Sequence, residues 1–401
     1  MSDLLELTAG PAGHGGFCVA RGPDGRVVFV RHALPGERVL ARITEDRGSY
    51  RRADAVQVLA EPASSPPRSL PSSPSPERVP APCPVAGPGG CGGCDWQHAS
   101  ASAQRTLKAA VVREALARIA GLDVPVSVEP LAGDLLGWRT RVQLAVGPDG
   151  RAGLHAHRSA RVVPLADCPL VVPGTLAPVL SRRWPPGGTV EVVRDGAGAV
   201  HVVCVVAGRR SLASGSGVAV QHAAGRSWRV SVGGFWQVHP AAASALAAAV
   251  DAFAAAPAGG LAWDLYGGVG LFAAGLAAQV GGRGSVVVVE SSRRAVADGA
   301  ANLADLPQVS FRTGRVERML RSLSGTPDVV VADPPRRGIG IALAHAVAAR
   351  RPARIVHVAC DPAALARDIA AFATHGYQLR SLRAFDAFPM THHVECVALL
   401  A

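Results

Sequence analysis

The sequence of 401 residues predicts an α/β fold in its C-terminal part, preceded by two β-rich units. From about residue 231 onward, runs of β-branched residues alternate with alanine-rich helical patterns, which is typical of a parallel sheet with crossover helices. Before that point, short alternating runs are separated by turn signals such as Pro23-Asp24-Gly25. A Pro/Ser-rich segment over residues 61–82 divides the β-rich part and predicts a flexible linker.

Residues 1–60 predict a small β-barrel, because their short alternating runs are bounded by glycine- and proline-containing turns. The predicted strands are Leu4–Thr8, Val27–Arg31, Arg38–Ile43 and Asp54–Leu59. The runs Gly15-Gly16-Phe17 and Leu34-Pro35-Gly36-Glu37 resemble the TRAM domain, an OB-like module. That resemblance implies that this unit binds RNA.

The central unit, residues 83–230, begins with Cys83, Cys91 and Cys94, which are separated by several glycines. Glycine lets the backbone fold tightly enough for three thiolates to converge. Cys168, which precedes a proline, is the best candidate for a fourth ligand. Four thiolates suit either a structural zinc ion or an iron–sulfur cluster, and the spacing is compatible with both.

The net charge of +11 predicts a polyanionic partner, most simply nucleic acid. The N-terminus carries Asp3 and Glu6 and lacks the apolar core of a signal peptide. Eight cysteines without such a signal favour metal binding or catalysis over disulfides. We therefore expect a soluble, cytoplasmic protein that acts as a monomer without a membrane partner.

A ligand site is predicted where residues 263–270 close a strand with Asp264 and open a glycine-rich turn. A helix over 271–280 and a strand over 285–289 follow, and the strand ends in Glu290. Glycines let the backbone approach a ligand, and an acid closing the second strand can bind ribose hydroxyls. The pattern resembles the S-adenosylmethionine site of class I methyltransferases more than an NAD site.

Asp333, Cys360 and Glu395 are candidate active-site residues at the edge of the predicted sheet. Asp333 ends an apolar strand, and the two prolines after it form a rigid lip. Cys360 ends the next strand, directly before Asp361-Pro362, a typical helix start whose dipole is expected to lower the thiol pKa. Glu395 lies in an apolar strand, where burial would raise its pKa towards that of a useful base.

These groups suit one reaction, the C5 methylation of uracil in RNA. C5 of uracil is a poor nucleophile until a thiolate adds at C6 and generates an enolate that can attack a methyl donor. A base then removes the C5 proton, and the thiolate is eliminated. The target base must leave any stack to be reached. We therefore expect the base to flip out or the RNA to unfold.

The chain resembles the RNA uracil-5-methyltransferase family, in the iron–sulfur branch typified by bacterial 23S rRNA (uracil-5)-methyltransferases. The motifs that carry the resemblance are Asp333-Pro334-Pro335-Arg336-Arg337-Gly338, the run from Cys360 to Asp368 and His393-Val394-Glu395. The resemblance implies that Cys360 is the nucleophile and Glu395 the base. It implies that S-adenosylmethionine is held by Gln237, Tyr266, Glu290 and Asp333. It further implies that Cys83, Cys91, Cys94 and Cys168 bind a [4Fe-4S] cluster.

Three alternatives compete with a 23S rRNA uracil-5-methyltransferase. The first is a tRNA uracil-5-methyltransferase, which shares the same motifs. The second is an RNA cytosine-5-methyltransferase, which typically has a second cysteine where this chain has Pro335. The third is a non-enzymatic RNA-binding iron–sulfur protein, which would leave Glu290, Asp333, Cys360 and Glu395 without a role.

Overall fold

The computed structural model describes residues 4–60 and 73–401, and its N-terminal unit is a six-stranded sheet around a small core. The strands are β1 (Leu4–Thr8), β2 (Ala12–Gly13), β3 (Phe17–Arg21), β4 (Val27–Arg31), β5 (Arg38–Asp46) and β6 (Tyr50–Leu59). Their order in the sheet is β1-β5-β6-β4-β3-β2. Alternate side chains such as Cys18, Ala20, Val28 and Val30 are buried in the core. The four strands predicted for this unit are confirmed, with β5 and β6 longer than expected.

The segment predicted as a flexible linker is held against this sheet where it can be described. Residues 61–72 lie outside the described residues. Arg78, however, pairs with the fully buried Glu37, with 2.6 Å between Nη2 and Oε2, and the Ser75 backbone N–H donates to the same carboxylate. A buried carboxylate needs such partners, so the prediction of a flexible linker is wrong for residues 73–78.

The central unit combines one long helix with antiparallel strands. Its helices are α1 (Ala101–Ala115), which continues as a π-helical turn over Leu116–Ala120, and the short α2 (Ala177–Leu180). Its strands are β7 (Val128–Pro130), β8 (Arg141–Val146), β9 (Ala152–His155), β10 (Val162–Pro164), β11 (Thr189–Arg194), β12 (Val200–Val206), β13 (Arg209–Ser214), β14 (Val218–Ala223) and β15 (Arg226–Ser231). Six of them form a sheet of order β10-β9-β8-β11-β12-β13, and β14 pairs with β15.

The C-terminal unit has the predicted alternation of strands and helices. Its strands are β16 (Leu261–Leu265), β17 (Ser285–Glu290), β18 (Val309–Thr313), β19 (Val329–Ala332), β20 (Arg354–Ala359), β21 (Leu379–Asp386) and β22 (Glu395–Leu400). Its helices are α3 (Ala242–Ala254), α4 (Leu271–Val280), α5 (Arg293–Asn302), α6 (Val316–Met319), α7 (Ile341–Ala348) and α8 (Pro362–Ala373). The sheet order is β18-β17-β16-β19-β20-β22-β21-β7, and β22 runs antiparallel to both of its neighbours. The predicted α/β class is confirmed.

The C-terminal sheet extends across the predicted boundary at residue 231, because its edge strand β7 comes from the central unit. Helix α1 also packs on α8. Lys108 of α1, the single lysine of the sequence, is fully buried and contacts Asp386 with 2.5 Å between Nζ and Oδ1. These contacts tie the segment before Glu395 to the central unit. No helix in the described ranges has both the length and the apolarity needed to cross a membrane.

Candidate active site

Four of the predicted site residues meet at one edge of the C-terminal sheet. Glu290 is the last residue of β17, while Tyr266, Asp333 and Cys360 directly follow β16, β19 and β20. These strands are parallel neighbours in the sheet, so their carboxyl ends lie side by side. Another predicted residue, Gln237, is buried in the segment between β15 and α3, and no hydrogen bond in the described chain joins it to these four. Ligands of open α/β sheets bind at such an edge.

The glycine-rich turn after β16 leaves space for a ligand. Asp264 Oδ2 accepts a hydrogen bond from the Ala273 N–H (3.1 Å), which fastens α4 to the strand. A Cβ added to Gly267 would lie 2.5 Å from a Val288 methyl carbon, so no other residue fits there. Beside Gly268, by contrast, a Cβ would meet no atom within 4 Å. The Gly268 N–H donates to Glu290 Oε2 (3.2 Å), which places this acid at the mouth of the turn.

Buried acids at this edge fit a cationic ligand such as S-adenosylmethionine. Asp264 is fully buried, and its Oδ1 has no hydrogen-bond partner among the described residues. Burial, with the charges of Asp333 and Glu290, raises the pKa of Asp264 to about 8. Burial raises the pKa of Asp333 to about 7. A ligand with a positive charge would stabilise the ionised forms of both groups. The sequence predicts Asp264 as the acid that closes the strand but does not predict a role for it in the site.

These raised pKa values predict that the protein without cofactor loses stability between pH 6.5 and 8. The folded protein keeps the proton on Asp264 through most of this range and the proton on Asp333 up to about pH 7, whereas the unfolded chain, with carboxyl pKa values of about 3.9, has lost both. The folded state therefore binds more protons, and the free energy of unfolding falls as pH rises. Thermal denaturation should show a melting temperature a few degrees lower at pH 8 than at pH 6.5.

The variant Asp264→Asn should reduce this decline, because it removes one of the two titrating groups while keeping an acceptor for the Ala273 N–H. The exposed residue Asp134 provides the matched control Asp134→Asn, which should melt like the wild type at each pH. A wild-type stability that rises from pH 6.5 to 8 would contradict the assignment of these protonation states.

Cys360 and Glu395 lie next to each other on neighbouring strands. β20 and β22 are antiparallel, with Ala359 opposite Cys396 as the last pair, so the next positions along the two chains are Cys360 and Glu395. Glu395 is buried, and burial together with the charge of Asp333 raises its pKa well above the ordinary value. The direction of the shift predicted for Glu395 is thus confirmed.

The shift predicted for Cys360 is wrong in direction. Its thiol follows β20 directly before α8, whose N-cap Asp361 accepts a hydrogen bond from the Ala364 N–H (2.8 Å). Burial, Glu395 and Asp333 nevertheless raise the pKa of Cys360 to about 12, against a lowering influence of Arg336. Two carboxylates and poor solvation thus outweigh the favourable field of a helix N-terminus.

Asp368 is a residue of the site that the sequence motif contained without an assigned role. Its carboxylate accepts hydrogen bonds from the N–H groups of Ile339 (2.7 Å) and Gly340 (2.9 Å) and contacts His357 Nε2 (2.9 Å). A Cβ on Gly338, which has a φ of +81°, would lie 2.4 Å from Asp368 Oδ2. Asp368 therefore fastens α8, which follows the cysteine, to the loop after Asp333. Its signal in the sequence was an acid on the apolar face of a helix.

The N-terminal sheet reaches the same edge. His14 Nε2 lies 3.1 Å from Asp361 Oδ2, directly beside the cysteine. Asp95 of the central unit lies 2.6 Å from His392 Nδ1, and the adjacent His393 precedes the strand that begins with Glu395. All three units therefore border the active-site edge.

The four predicted metal-ligating cysteines line one small cavity, of about 10 Å³. They are Cys83, Cys91, Cys94 and Cys168, and each has a free thiol. Two N–H···S contacts point into the group, from Gln97 Nε2 to Cys94 Sγ (3.0 Å) and from the Gly93 N–H to Cys91 Sγ (3.4 Å). The donor set fits a thiolate-bound metal centre. Over the described ranges, however, no three His, Cys, Asp or Glu side chains are arranged closely enough to hold a metal ion. The metal site therefore stays a prediction.

Comparison with protein families agrees with the observed units. A family model described as TRAM domain matches residues 6–56, which lie within the N-terminal sheet. A model described as tRNA (Uracil-5-)-methyltransferase matches residues 320–401, the part that carries Asp333, Cys360 and Glu395.

Relatives and solved structures extend this similarity to the whole chain. A protein of Streptomyces avermitilis described as an uncharacterized RNA methyltransferase is 44% identical, over 100% of this chain and 98% of its own length. The 23S rRNA (uracil(1939)-C(5))-methyltransferase of Chromohalobacter salexigens is 31% identical, over 96% of this chain and 87% of its own. The crystal structure of the Pyrococcus abyssi tRNA (uracil-54, C5)-methyltransferase with S-adenosyl-L-homocysteine has a TM-score of 0.71 at 21% identity, covering 99% of this chain and 100% of that one. At this identity the last similarity concerns the fold.

Proposed function

The chain belongs to the RNA uracil-5-methyltransferase family and depends on S-adenosylmethionine, and we propose that it forms 5-methyluridine in 23S rRNA. The observation that carries this proposal is the adjacency of Cys360 and Glu395 beside Asp333 at one sheet edge. The relative that favours rRNA is the Chromohalobacter enzyme, since the similarity to the tRNA enzyme concerns the fold. We further propose that the protein acts in the cytoplasm and is a monomer. Sedimentation with and without RNA would test the oligomeric state.

The proposed mechanism uses Cys360 and Glu395 in sequence. The Cys360 thiol first gives up its proton to solvent. The resulting thiolate forms a bond to C6 of uracil, which moves electron density to C5 and O4. S-adenosylmethionine, when bound, supplies the methyl group that C5 takes up. Glu395 then accepts the C5 proton, and the bond between sulfur and C6 breaks as the C5=C6 double bond re-forms. Glu395 must be ionised to accept this proton. Its raised pKa makes it a stronger base once ionised, and the charge of Arg336, which lowers the pKa, favours the ionised form.

The remaining site residues would bind the charged and polar groups of the cofactor. Asp333 and the orphaned Asp264 carboxyl would face the positive part of S-adenosylmethionine, and Glu290 would accept hydrogen bonds from its ribose hydroxyls. Tyr266 lines the same edge, and Gln237 would complete the pocket from the segment before α3.

Methyl transfer from labelled S-adenosylmethionine to unmodified transcripts tests the proposal. We expect label in 5-methyluridine when 23S rRNA is offered, and a lower kcat/KM with tRNA. A higher kcat/KM with tRNA would replace rRNA by tRNA as the substrate. Label in 5-methylcytidine would favour the cytosine alternative, and absence of label from both RNAs would contradict the proposal.

We further propose that Cys83, Cys91, Cys94 and Cys168 bind a [4Fe-4S] cluster. Support comes from their common cavity and from the N–H donors that contact two of the sulfurs, since such contacts stabilise bound thiolates. The cavity would have to widen to admit a cluster. Protein purified without oxygen should contain iron and acid-labile sulfide in equal amounts and show broad visible absorption.

The variant Cys91→Ser should lose most of this iron and absorption. Cys204→Ser is the matched control, because Cys204 is buried in a different position of the central sheet and should leave the iron content unchanged. Stoichiometric zinc in place of iron would contradict the cluster and favour the structural zinc ion.

A further inference from the structure

Residues 387–394 form the loop that connects β21 to β22 and leads directly to Glu395, the proposed base. We call this segment the base loop. Within it the backbone of Met390 has a φ of +67°, a left-handed conformation that residues other than glycine rarely adopt. Backbone strain of this kind persists only where neighbouring groups hold it, and it clusters at functional sites.

The hydrogen bonds that hold Met390 come from the central unit. Gln104 Oε1, on α1, accepts a hydrogen bond from the Met390 N–H (2.7 Å). The Met390 carbonyl oxygen accepts two more, from the backbone N–H groups of Asp95 (3.0 Å) and Trp96 (3.1 Å). The amide nitrogen of Gln104 donates to the Ala99 carbonyl oxygen (2.9 Å), which turns the acceptor oxygen of the side chain towards the base loop.

The central unit also holds the base loop on either side of this residue. Lys108 Nζ donates to the Phe388 carbonyl oxygen (3.0 Å) and pairs with Asp386, the last residue of β21. Asp95 Oδ2 accepts a hydrogen bond from the His392 N–H (3.1 Å) and lies 2.6 Å from His392 Nδ1. Every second backbone position from residue 388 to residue 392 is therefore held by the central unit.

The three side chains that make these contacts are expensive to bury. Gln104 and Lys108 are fully buried, and Asp95 is 7% exposed. A buried polar group costs stability unless it is paired, and apolar residues in place of a buried ion pair are often as stable or more stable. Stability alone therefore does not explain these residues, and the proposed mechanism gives them no role.

We propose that Asp95, Gln104 and Lys108 are positioning residues, which hold the base loop so that the carboxylate of Glu395 reaches the C5 proton. In the described part of the chain, none of the three is hydrogen-bonded to Cys360 or Glu395, so they act through the loop. A reacting group that is displaced by about 1 Å can lose about a hundredfold in rate. This inference rests on the proposed function for the role of Glu395.

The variant Gln104→Met tests the proposal, because it keeps the bulk of the side chain and removes the acceptor for the Met390 N–H. With an unmodified 23S rRNA transcript and labelled S-adenosylmethionine, we expect kcat to fall about a hundredfold. KM for RNA should stay unchanged. Covalently bound RNA should accumulate on a denaturing gel, because the addition of Cys360 precedes the step that Glu395 performs.

The variant Gln104→Glu should restore most of this activity. A carboxylic acid buried at this position is protonated, so it donates one hydrogen bond and accepts one, as the amide does towards Ala99 and Met390. Gln308→Met is the matched control. Gln308 directly precedes β18, at the end of the strands opposite to the active site, and donates to the Ala277 carbonyl oxygen (3.1 Å). This control should lose some stability but keep the wild-type kcat and form no adduct.

The double variant Lys108→Met with Asp386→Leu removes the second contact without leaving an unpaired buried charge. Its melting temperature should stay near that of the wild type, because apolar replacements of a buried ion pair are often neutral for stability. The Phe388 carbonyl oxygen would lose its lysine donor. We expect kcat to fall at least about tenfold, again with accumulation of the adduct.

Hydrogen exchange of the protein without RNA provides a readout that is independent of activity. The peptide that contains Met390 should exchange faster in Gln104→Met and in the double variant than in the wild type, and at the wild-type rate in Gln308→Met. Wild-type exchange in both loop variants would overturn the proposal, because the loop would then be held without these side chains.

The kinetic results decide whether holding the loop positions the base. Wild-type kcat of Gln104→Met and of the double variant would overturn the proposal, and so would an equal loss of kcat in Gln308→Met. If the wild type and both loop variants form 5-methyluridine at the same rate, only this inference is refuted. Absence of 5-methyluridine from the wild type would instead refute the proposed function and, with it, the role of Glu395.

Discussion

Replacement of Cys360 by alanine is expected to abolish the formation of 5-methyluridine, with a loss of a factor of about 10⁴ or more in the single-turnover rate. Without the sulfur no bond forms at C6, and C5 of uracil stays a poor nucleophile. The thiol follows β20 at the sheet edge, so its removal should leave the fold and the cofactor-binding acids in place. The rate should be measured with labelled S-adenosylmethionine at saturating protein, together with equilibrium binding of the cofactor.

Cys396→Ala is the matched control for this variant. Cys396 is buried in β22, opposite Ala359 and one residue from Glu395. Its replacement should cost about 1 kcal/mol of stability and leave methyl transfer near the wild-type rate. A Cys360→Ala variant that still forms 5-methyluridine at a comparable rate would refute the nucleophile assignment.

Formation of the Cys360 thiolate depends on the groups around it, because burial and two nearby carboxyl groups raise the pKa of the thiol. At neutral pH a thiol with a pKa of about 12 is almost entirely protonated. Arg336 lowers the pKa of both Cys360 and Glu395, and a cationic cofactor beside Asp333 would offset one of the two carboxylates that raise the thiol pKa. Binding of the cationic cofactor would therefore favour the thiolate.

The sequence predicted the edge of the sheet well because the signals there are local. An apolar run followed by an acid, a glycine turn or Cys-Asp-Pro defines where each strand ends, and parallel strands bring their ends together. Glu290, Asp333 and Cys360 are predicted at one edge in this way, Tyr266 is predicted by the family resemblance, and the structure brings all four there.

The features that the sequence did not predict depend on contacts between distant segments. The sign of the Cys360 pKa shift follows from Glu395 and Asp333, whose approach is set by the packing of β22 and β19 around β20. The pairing of β7 with β21 joins segments about 250 residues apart, and three residues are too short for a pattern. The docking of residues 73–78 depends on Arg78 meeting the buried Glu37, which proline and serine content does not reveal.

Replacement of Glu395 by glutamine is expected to stop the reaction after methyl transfer, so that RNA accumulates covalently bound to the protein. Glutamine has nearly the same volume in this buried position but cannot accept the C5 proton. Without loss of that proton, the C5=C6 double bond cannot re-form and the bond between Cys360 and C6 persists. A denaturing gel with labelled RNA should show the adduct, and its digestion should yield a methylated nucleotide attached to the peptide that contains Cys360.

Two further variants determine what such an adduct means. Glu317→Gln is the matched control, because Glu317 is an exposed acid that pairs with Arg337 on the neighbouring loop (3.3 Å), and it should turn over without accumulating adduct. The double variant Cys360→Ala with Glu395→Gln should form no adduct at all. Wild-type turnover by Glu395→Gln would refute the base assignment, and an adduct in the double variant would place the covalent bond on another residue. Because the nucleophile acts before methyl transfer and the base after it, these variants separate addition from elimination within one site.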